Sequence, residues 1–468
     1  MVAHVPHVRQ PAVAGYFYPA DAAGLSKEIA GHLAAARADP ADPPDQGRAP
    51  KAIIAPHAGY VYSGPVAASA YVRVAPARES IRRVVLLGPS HRVAFRGLAA
   101  STASAFETPL GTVPLDRDGI GRALALPPVR SLDEAHDQEH SLEVHLPFLQ
   151  HLLDRFSLVP LVVGEAGADE VAEVLEALWD GAETLIVVSS DLSHYLGYDA
   201  ARRLDLETCR AIETLAEDGI AEEGACGRRP VAGLLRLGRK LDLRATTVDL
   251  RNSGDIAGPR DRVVGYGAWT FEPNSEARLS DAHRRRLIET AAASIRHGLD
   301  HGEPLAVDVE SFPLALRAYR AAFVTLKRGD ALRGCIGTTT AHRPLCAEVA
   351  VSAWSAASAD SRFPALTAAE LAALELSVSV LGVPYRMELR DEPDLLRQLR
   401  PGRDGLILRE GRRTATFLPQ VWETLPDPAA FVGRLKEKAG LGATYWSPDI
   451  EAWRYSAESF SAPFPAAS

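Results

Sequence analysis

The sequence predicts a two-part chain: an α/β front half built on a mainly parallel sheet, then an α+β back half. Three observations carry this. First, short apolar runs rich in β-branched residues, Lys51 to Ala55 (KAIIA), Arg83 to Leu87 (RVVLL) and Thr184 to Val188 (TLIVV), alternate with helical patterns; such runs read as parallel strands buried on both faces. Second, each run breaks into a turn that delivers a histidine: His57, His91 and His194. Third, 468 residues exceed one ordinary core. The stretch Glu272 to Ala282 (EPNSEARLSDA) carries Pro, Asn, Ser and charge without periodicity, which places a boundary there. The domains are therefore read as residues 7–273 and 281–464.

In the front half, an N-terminal arm (Pro11 to Pro19) precedes a helix near Leu25 to Ala36, and a Pro/Asp-rich loop, Asp39 to Pro50, delivers the first strand. A helix follows at Pro65 to Val74. Phe106 to Asp116 (FETPLGTVPLD) alternates between turn residues and reads as a hairpin. Ser141 to Leu153 reads as an amphipathic helix capped by Ser141, with Pro147 kinking it or marking its true first turn. Strand and helix then alternate at 158–164 with 168–179 and at 184–189 with 198–218, and two strands, 244–250 and 262–271, close the unit. This alternation is what makes the class α/β. The back half opens with a helix, Asp281 to His297. It then mixes strands (321–328, 375–382, 405–409) with helices (345–359, 428–439) in a less regular order, hence α+β.

Composition narrows the function. A formal net charge of -9, with 47% hydrophobic and 24% charged residues, describes an average globular protein and argues against a nucleic-acid binder, which needs a concentrated basic face. The cluster Arg284 to Arg286 reads as a solvated helix face. The four cysteines, Cys209, Cys226, Cys335 and Cys346, show no zinc-type spacing and read as reduced thiols of a cytoplasmic protein. The N-terminus lacks the pattern of a secretory signal, and no run approaches the roughly 18 apolar residues of a membrane helix.

Ligand sites in open α/β sheets lie outside the carboxyl ends of the strands, so the three post-strand histidines are candidates for one shared site. Neutral imidazoles bind Fe, Zn and Cu, and two of them with a carboxylate make the facial triad of non-haem iron oxygenases. Candidate carboxylates are Asp191, close before His194, and Asp255 in the loop Arg251 to Gly258. A second polar cluster, Asp133 to His145 (DEAHDQEHSLEVH), sets His136 beside His140 and His140 beside Glu143 on one helical face, with His145 on another side. Its plainer reading is a polar helix face. A metal-free reading would use Ser90 with His91, or Ser189 or Ser190 with His194, as nucleophile and base. No Gly-x-Ser-x-Gly elbow surrounds these serines, which argues against it.

The segments RQPAVAGYFYP, APHAGYVYSG, LLGPSH, FETPLG, DQEHSLEVHLPF, VVSSDLSHY, ACGRRP and VVGYGAW, spread over residues 9 to 271, make the front half resemble the Memo family, the system protein B component of the AmmeMemoRadiSam set. The resemblance implies a fold similar to class III extradiol dioxygenases, whose non-haem iron is held by two histidines and a carboxylate. Carried over residue by residue, it puts metal ligands on His57 and His91 and an acid/base on His194. Some Memo proteins supply a cysteine from the loop before the last strand. Arg251 to Arg262 has none, so Asp255 is the expected third ligand, and Cys226, in ACGRRP on a different element, reads as structural. His145 joins His194 as a candidate catalytic residue. The ion expected is divalent, Fe(II) first, with Cu or Zn as alternatives.

The back half resembles the AMMECR domain, system protein A of the same set, through LRGCIG (332–337), DSRFPAL (360–366), LELSVSVL (374–381), GRDGLIL (402–408) and ATFLPQVW (415–422). Cys335, flanked by Gly334 and Gly337 with Arg333 nearby, could have its thiol activated by a guanidinium; a packed cysteine in a tight strand-to-turn junction is the alternative. Arg333, Cys335, Arg362 and, in the front half, His140 are candidates for a substrate or partner cleft. Two functions follow: a dioxygenase-like enzyme acting on an unidentified small molecule, or a binding or metal-handling module. The set's name implies a radical S-adenosylmethionine partner; this chain has no C-x-x-x-C-x-x-C cluster motif of its own, so any radical chemistry must come from that partner. No nucleic-acid or membrane partner is expected.

Overall fold

The computed structural model describes residues 7–38 and 48–465, so most of the predicted loop 39–50 lies outside the described residues. Two compact units emerge, Met1–Gly238 with Ala245–Glu272, and Arg239–Arg244 with Pro273–Ser468. No helix among the described residues is long and apolar enough to cross a membrane.

The first unit is organised on a nine-stranded sheet. Its strands are β1 (Ala52–Ala55), β2 (Arg83–Pro89), β3 (Leu98–Ala100), β4 (Val129–Ser131), β5 (Ser157–Val163), β6 (Thr184–Ser189), β7 (His194–Leu196), β8 (Leu243–Asn252) and β9 (Val263–Pro273). The spatial order is β7-β9-β1-β6-β2-β5-β3-β4, with β8 on β9. The centre, β1-β6-β2-β5, is parallel, with Ala55 opposite Ser189 and Leu87 opposite Val188. β9 and β3 flank it antiparallel. The unbroken apolar runs fit this because helices cover a parallel centre on both faces; Ile53, Val85, Leu86, Ile186 and Val187 have no exposed surface. The α/β expectation with a mainly parallel sheet is met.

The helices that matter for the site are α1 (Ala22–Arg37), α2 (Tyr60–Tyr71), α3 (Ala168–Ala177), α4 (Tyr198–Glu213) and α5 (Arg228–Lys240). Two expectations need correcting. Ser141 to Leu153 is not one helix: a single 3-10 turn, Glu143–His145, leads into a helix at Leu146–Leu152, and Pro147 occupies its first turn, where its missing N–H costs nothing. Ser141 does not cap that helix; its hydroxyl donates to the Pro89 carbonyl at 2.9 Å. The hairpin is formed by Ala105–Thr108 and Gly111–Pro114, with Val8–Arg9 of the arm parallel to it.

The arm is tied down by one buried carboxylate. Glu143, fully buried, accepts hydrogen bonds from Ala12 N (2.7 Å), Val13 N (3.0 Å), Tyr18 Oη (2.6 Å) and the buried Arg9 guanidinium. Arg9 also donates to the carbonyls of His136 and Glu139.

In the second unit, α6 (Asp281–His301) and α7 (Leu345–Ser358) back a four-stranded sheet ordered β11-β10-β12-β17, made of β10 (Ala322–Arg328), β11 (Ala331–Gly337), β12 (Leu374–Leu381) and β17 (Ala457–Pro463). Its core includes Leu287, Ile295, Val324, Val349, Leu376 and Val378. A second sheet, β13 (Tyr385–Arg386), β14 (Gly405–Glu410), β15 (Arg413–Phe417) and β16 (Glu451–Tyr455), orders as β13-β16-β14-β15 and packs with α8 (Pro428–Lys438) around Leu406, Trp422 and Phe431. LRGCIG is itself a strand rather than a strand-to-turn junction, and β15, β16 and β17 were not foreseen.

Removing the Glu143 carboxylate strands Arg9 and two backbone N–H groups in the interior. Glu143→Ala is expected to cost about 3–5 kcal/mol of stability in the first unit, measured by denaturant titration; a loss under about 1 kcal/mol, the value of an exposed pair, would contradict this role.

Candidate metal centre

Three elements meet at the carboxyl ends of the parallel strands. β1 runs into His57, β2 into His91, and β6 into Ser189, Ser190 and Asp191. The Cys226 loop, leading into α5, crosses the same edge. It can do so because residue 227 is glycine: a Cβ there would lie 2.4 Å from the Ser189 carbonyl oxygen. Gly227 N also donates to Ser190 Oγ at 3.0 Å.

The result is a compact donor set. Ligand atoms of His57, His91 and Cys226 lie within 4.8 Å of one another, and Cys226 Sγ is 3.3 Å from His57 Nε2. A second group of the same tightness, His91, Glu139 and His140, shares His91. The ring centroids of His57, His91 and His140 are 4.6 to 5.4 Å apart.

Each donor is held from behind. Glu139 accepts from His91 Nδ1 (2.9 Å), His91 N (2.6 Å), His140 N (3.0 Å) and Ser141 N (2.9 Å). A carboxylate only accepts, so His91 carries its proton on Nδ1 and presents the Nε2 lone pair forward, the usual arrangement behind a ligating imidazole. These bonds, that of His91 first among them, hold Glu139 down at about 2 against the upward push of its burial. His57 Nδ1 sits 2.6 Å from Ser189 Oγ, and His57 N donates to Asp191 at 2.8 Å.

The electrostatics suit a cation. Burial, then the neighbouring imidazoles, holds His57 well below the usual histidine range, and burial lowers His140 to about 4. These rings are therefore neutral lone-pair donors. Burial, then the Asp191 carboxyl, pushes the Cys226 thiol up. Desolvation in turn raises Asp191 to about 7. A half-buried thiol beside such imidazoles, its pKa pushed up, ionises readily when a positive ion joins it. The residues present thus fit a borderline metal held by nitrogen and sulfur.

The expected site residues fall as follows. His57 and His91 are brought together. His194, at the start of β7, lies near enough to His57 and His91 to interact electrostatically with both. His140 joins them, stacked on His91 with an interplanar angle of 28°. Asp255 does not. Its carboxylate accepts from Tyr198 Oη (2.5 Å) and Asn252 N (3.0 Å), with Arg260 at 4.0 Å, so it closes its own surface turn. Cys226, read as structural, takes the place foreseen for Asp255. His145 is not at the mouth: it is buried behind His57, with Ser189 on Nε2 and Tyr71 on Nδ1. His136 packs on Phe106 and bonds to the Ala99 carbonyl. Asp191 braces the His57 turn through its backbone.

In the second unit, Cys335 and Arg362 are neighbours through Asp360, which accepts from Cys335 N (2.8 Å) and from Arg362 Nη2 (2.7 Å). Thr325 Oγ1 donates to Cys335 Sγ at 3.3 Å. Arg333 is committed elsewhere, to Glu370 (2.8 Å) and the Pro364 carbonyl (2.9 Å), which staples the loop after Asp360.

Sequence reasoning missed Cys226, Glu139 and Ser189. A signal existed for two of them: Cys-Gly directly before a helix, and an acid next to a histidine in DQEHSLEVH. Ser189 reads in the sequence as a candidate nucleophile, whereas the structure sets its hydroxyl against His57 and His145.

The family model for Memo-like protein matches residues 9–270, and that for AMMECR1 matches residues 288–460. A MEMO1 family protein of Saccharolobus islandicus is 36% identical over 284 residues, covering 56% of this chain and 99% of its own. One from Methanothermobacter thermautotrophicus is 37% identical over 277 residues, 55% of this chain and 98% of its own. Among solved structures, an uncharacterised protein of Pyrococcus horikoshii is 33% identical, with 37% of this chain and 89% of that chain covered at a TM-score of 0.36.

The raised Cys226 thiol has a direct readout. In metal-free protein at pH 8, alkylation of Cys226 by iodoacetamide, followed peptide by peptide by mass spectrometry, is expected at least about tenfold slower than that of a free cysteine, because thiolate is the reactive form. A rate equal to free cysteine would contradict the half-buried, cation-dependent thiol.

Proposed function

The chain belongs to the Memo-like protein family, and we propose that its first unit holds one divalent metal ion, iron(II), between His57, His91 and Cys226. The single observation carrying this is the convergence of two imidazoles and a thiol at one strand edge, each braced from behind. The site is of the mononuclear kind found in class III extradiol dioxygenases, with a thiolate in place of their carboxylate.

Bound there, such an ion supplies Lewis acidity and a template on which dioxygen and a small phenol-like or carbonyl substrate meet. The chain's own residues do the rest. Glu139 keeps the His91 proton on Nδ1. His194, near enough to His57 and His91 to interact electrostatically with both, is the residue that takes or gives a proton. His140 narrows the entrance against His91 and Phe17.

The thiolate favours a second reading. Sulfur donors shift preference toward copper and zinc, which fits a metal-handling or binding module that works with a radical S-adenosylmethionine protein. Competition between iron and zinc, run with a test for dioxygen uptake, separates the two.

Anaerobic iron loading followed by elemental analysis tests the centre. The wild-type chain is expected to retain close to one ion, His57→Ala, His91→Ala and Cys226→Ala to fall to background, and Asp255→Asn to match wild type. Retention by Cys226→Ala together with loss in Asp255→Asn would overturn the ligand set.

A further inference from the structure

Behind the donor edge runs a closed chain of hydrogen bonds, and its bookkeeping has one solution. Ser189 Oγ has a single proton and three partners: the Ser141 carbonyl at 2.6 Å, His57 Nδ1 at 2.6 Å and His145 Nε2 at 2.8 Å. A carbonyl oxygen only accepts, so the hydroxyl proton points to Ser141. The two ring nitrogens must then both be donors. His57 is therefore protonated on Nδ1, with its lone pair on Nε2, the atom 3.3 Å from Cys226 Sγ. His145, a donor through Nε2, accepts at Nδ1 from the Tyr71 hydroxyl at 2.9 Å. Ser141, Ser189 and Tyr71 have no exposed surface, and His57 and His145 have 1% each, so solvent does not offer any of them another partner. Their burial also keeps His145 neutral, lowered to about 3.

We infer that Ser189, backed by the His145–Tyr71 pair, is a positioning residue that locks His57 in the tautomer able to donate its Nε2 lone pair. The role rests on the metal-site reading above. The two histidines of the centre are thereby held by different means, His91 by a carboxylate and His57 by a neutral hydroxyl whose direction a carbonyl dictates. Without Ser189, nothing at Nδ1 decides which nitrogen of His57 carries the proton. Supports of this kind are worth about 10–100-fold in metal affinity.

The test uses the full chain labelled with 15N-histidine, with His57 assigned by comparison with His57→Ala. Two-bond 1H–15N correlation on metal-free protein reads the tautomer, and competition for Zn(II) against a chromophoric chelator reads the affinity. Wild type is expected to show His57 protonated on Nδ1. Ser189→Ala is expected to lose that single tautomer and to bind Zn(II) about 10–100-fold more weakly, whereas His145→Leu, which leaves the Ser141 carbonyl to orient the hydroxyl, is expected to keep the Nδ1 tautomer. His145→Gln is expected to stay close to wild type, because its amide offers an N–H to Ser189 and a carbonyl to Tyr71. If Ser189→Ala does not fold, the wild-type tautomer still decides, since reading it needs no variant at that position. His57 protonated on Nε2 in the wild type, or Zn(II) affinity indifferent to Ser189→Ala, overturns this inference alone. A wild-type chain that takes up neither zinc nor iron overturns the metal reading and this role with it.

Discussion

Parallel pairing of adjacent strands is the constraint on which the site depends. With β1, β6 and β2 side by side, parallel and in register, the residues that follow each strand must emerge along one edge. Antiparallel strands would have sent alternate termini to opposite edges. Sequence positions more than a hundred residues apart, His57 and Ser189, thereby become hydrogen-bond partners at 2.6 Å. The geometry of that edge is then refined at a few close approaches. Gly227 admits the cysteine loop, and Gly88 lets Ser141 and Leu142 lie on β2, where a Cβ would meet Ser141 Oγ at 2.7 Å.

The segment from Glu139 to His145 braces almost everything else. Its two acids both point inward, yet they do separate work: Glu139 gathers the His91 turn, and Glu143 anchors the N-terminal arm. Arg9 spans them, paired with Glu143 and donating to the Glu139 carbonyl. A buried carboxylate is costly unless its oxygens are all engaged, and here each is. That places the histidine edge and the arm in one hydrogen-bonded network, with the Phe17 ring of the arm 4.9 Å from the His140 ring.

Much of this was legible in the chain. Apolar β-branched runs followed by turn residues marked β1, β2 and β6, because a strand buried on both faces needs an unbroken apolar run. The histidines at their ends were visible for the same reason. The third donor was not. Asp255 stood close in sequence to β9 and carried the right chemistry, but the Asn252 and Tyr198 hydrogen bonds fold it into its own turn. Cys226 lay on another element, and only the three-dimensional crossing allowed by Gly227 brings it to His57. His145 was read on helical periodicity, whereas the 3-10 turn at Glu143–His145 rotates it inward toward Ser189 and Tyr71. In the second unit the late strands β15 to β17 escape notice because they are short or rich in Ser, Thr and Arg, and the register of β16 and β17 comes from neighbours distant in sequence. Arg333 is placed in a cleft on proximity to Cys335, but its guanidinium is committed to Glu370 and the Pro364 carbonyl.

The central claim is that a sulfur from Cys226 joins two imidazoles on a single ion. X-ray absorption at the metal edge of the iron-loaded chain tests it most directly. The account predicts one sulfur scatterer at about 2.3 Å together with nitrogen or oxygen scatterers at about 2.0 to 2.2 Å. A first shell of nitrogen and oxygen alone, in protein that keeps its iron, would contradict it.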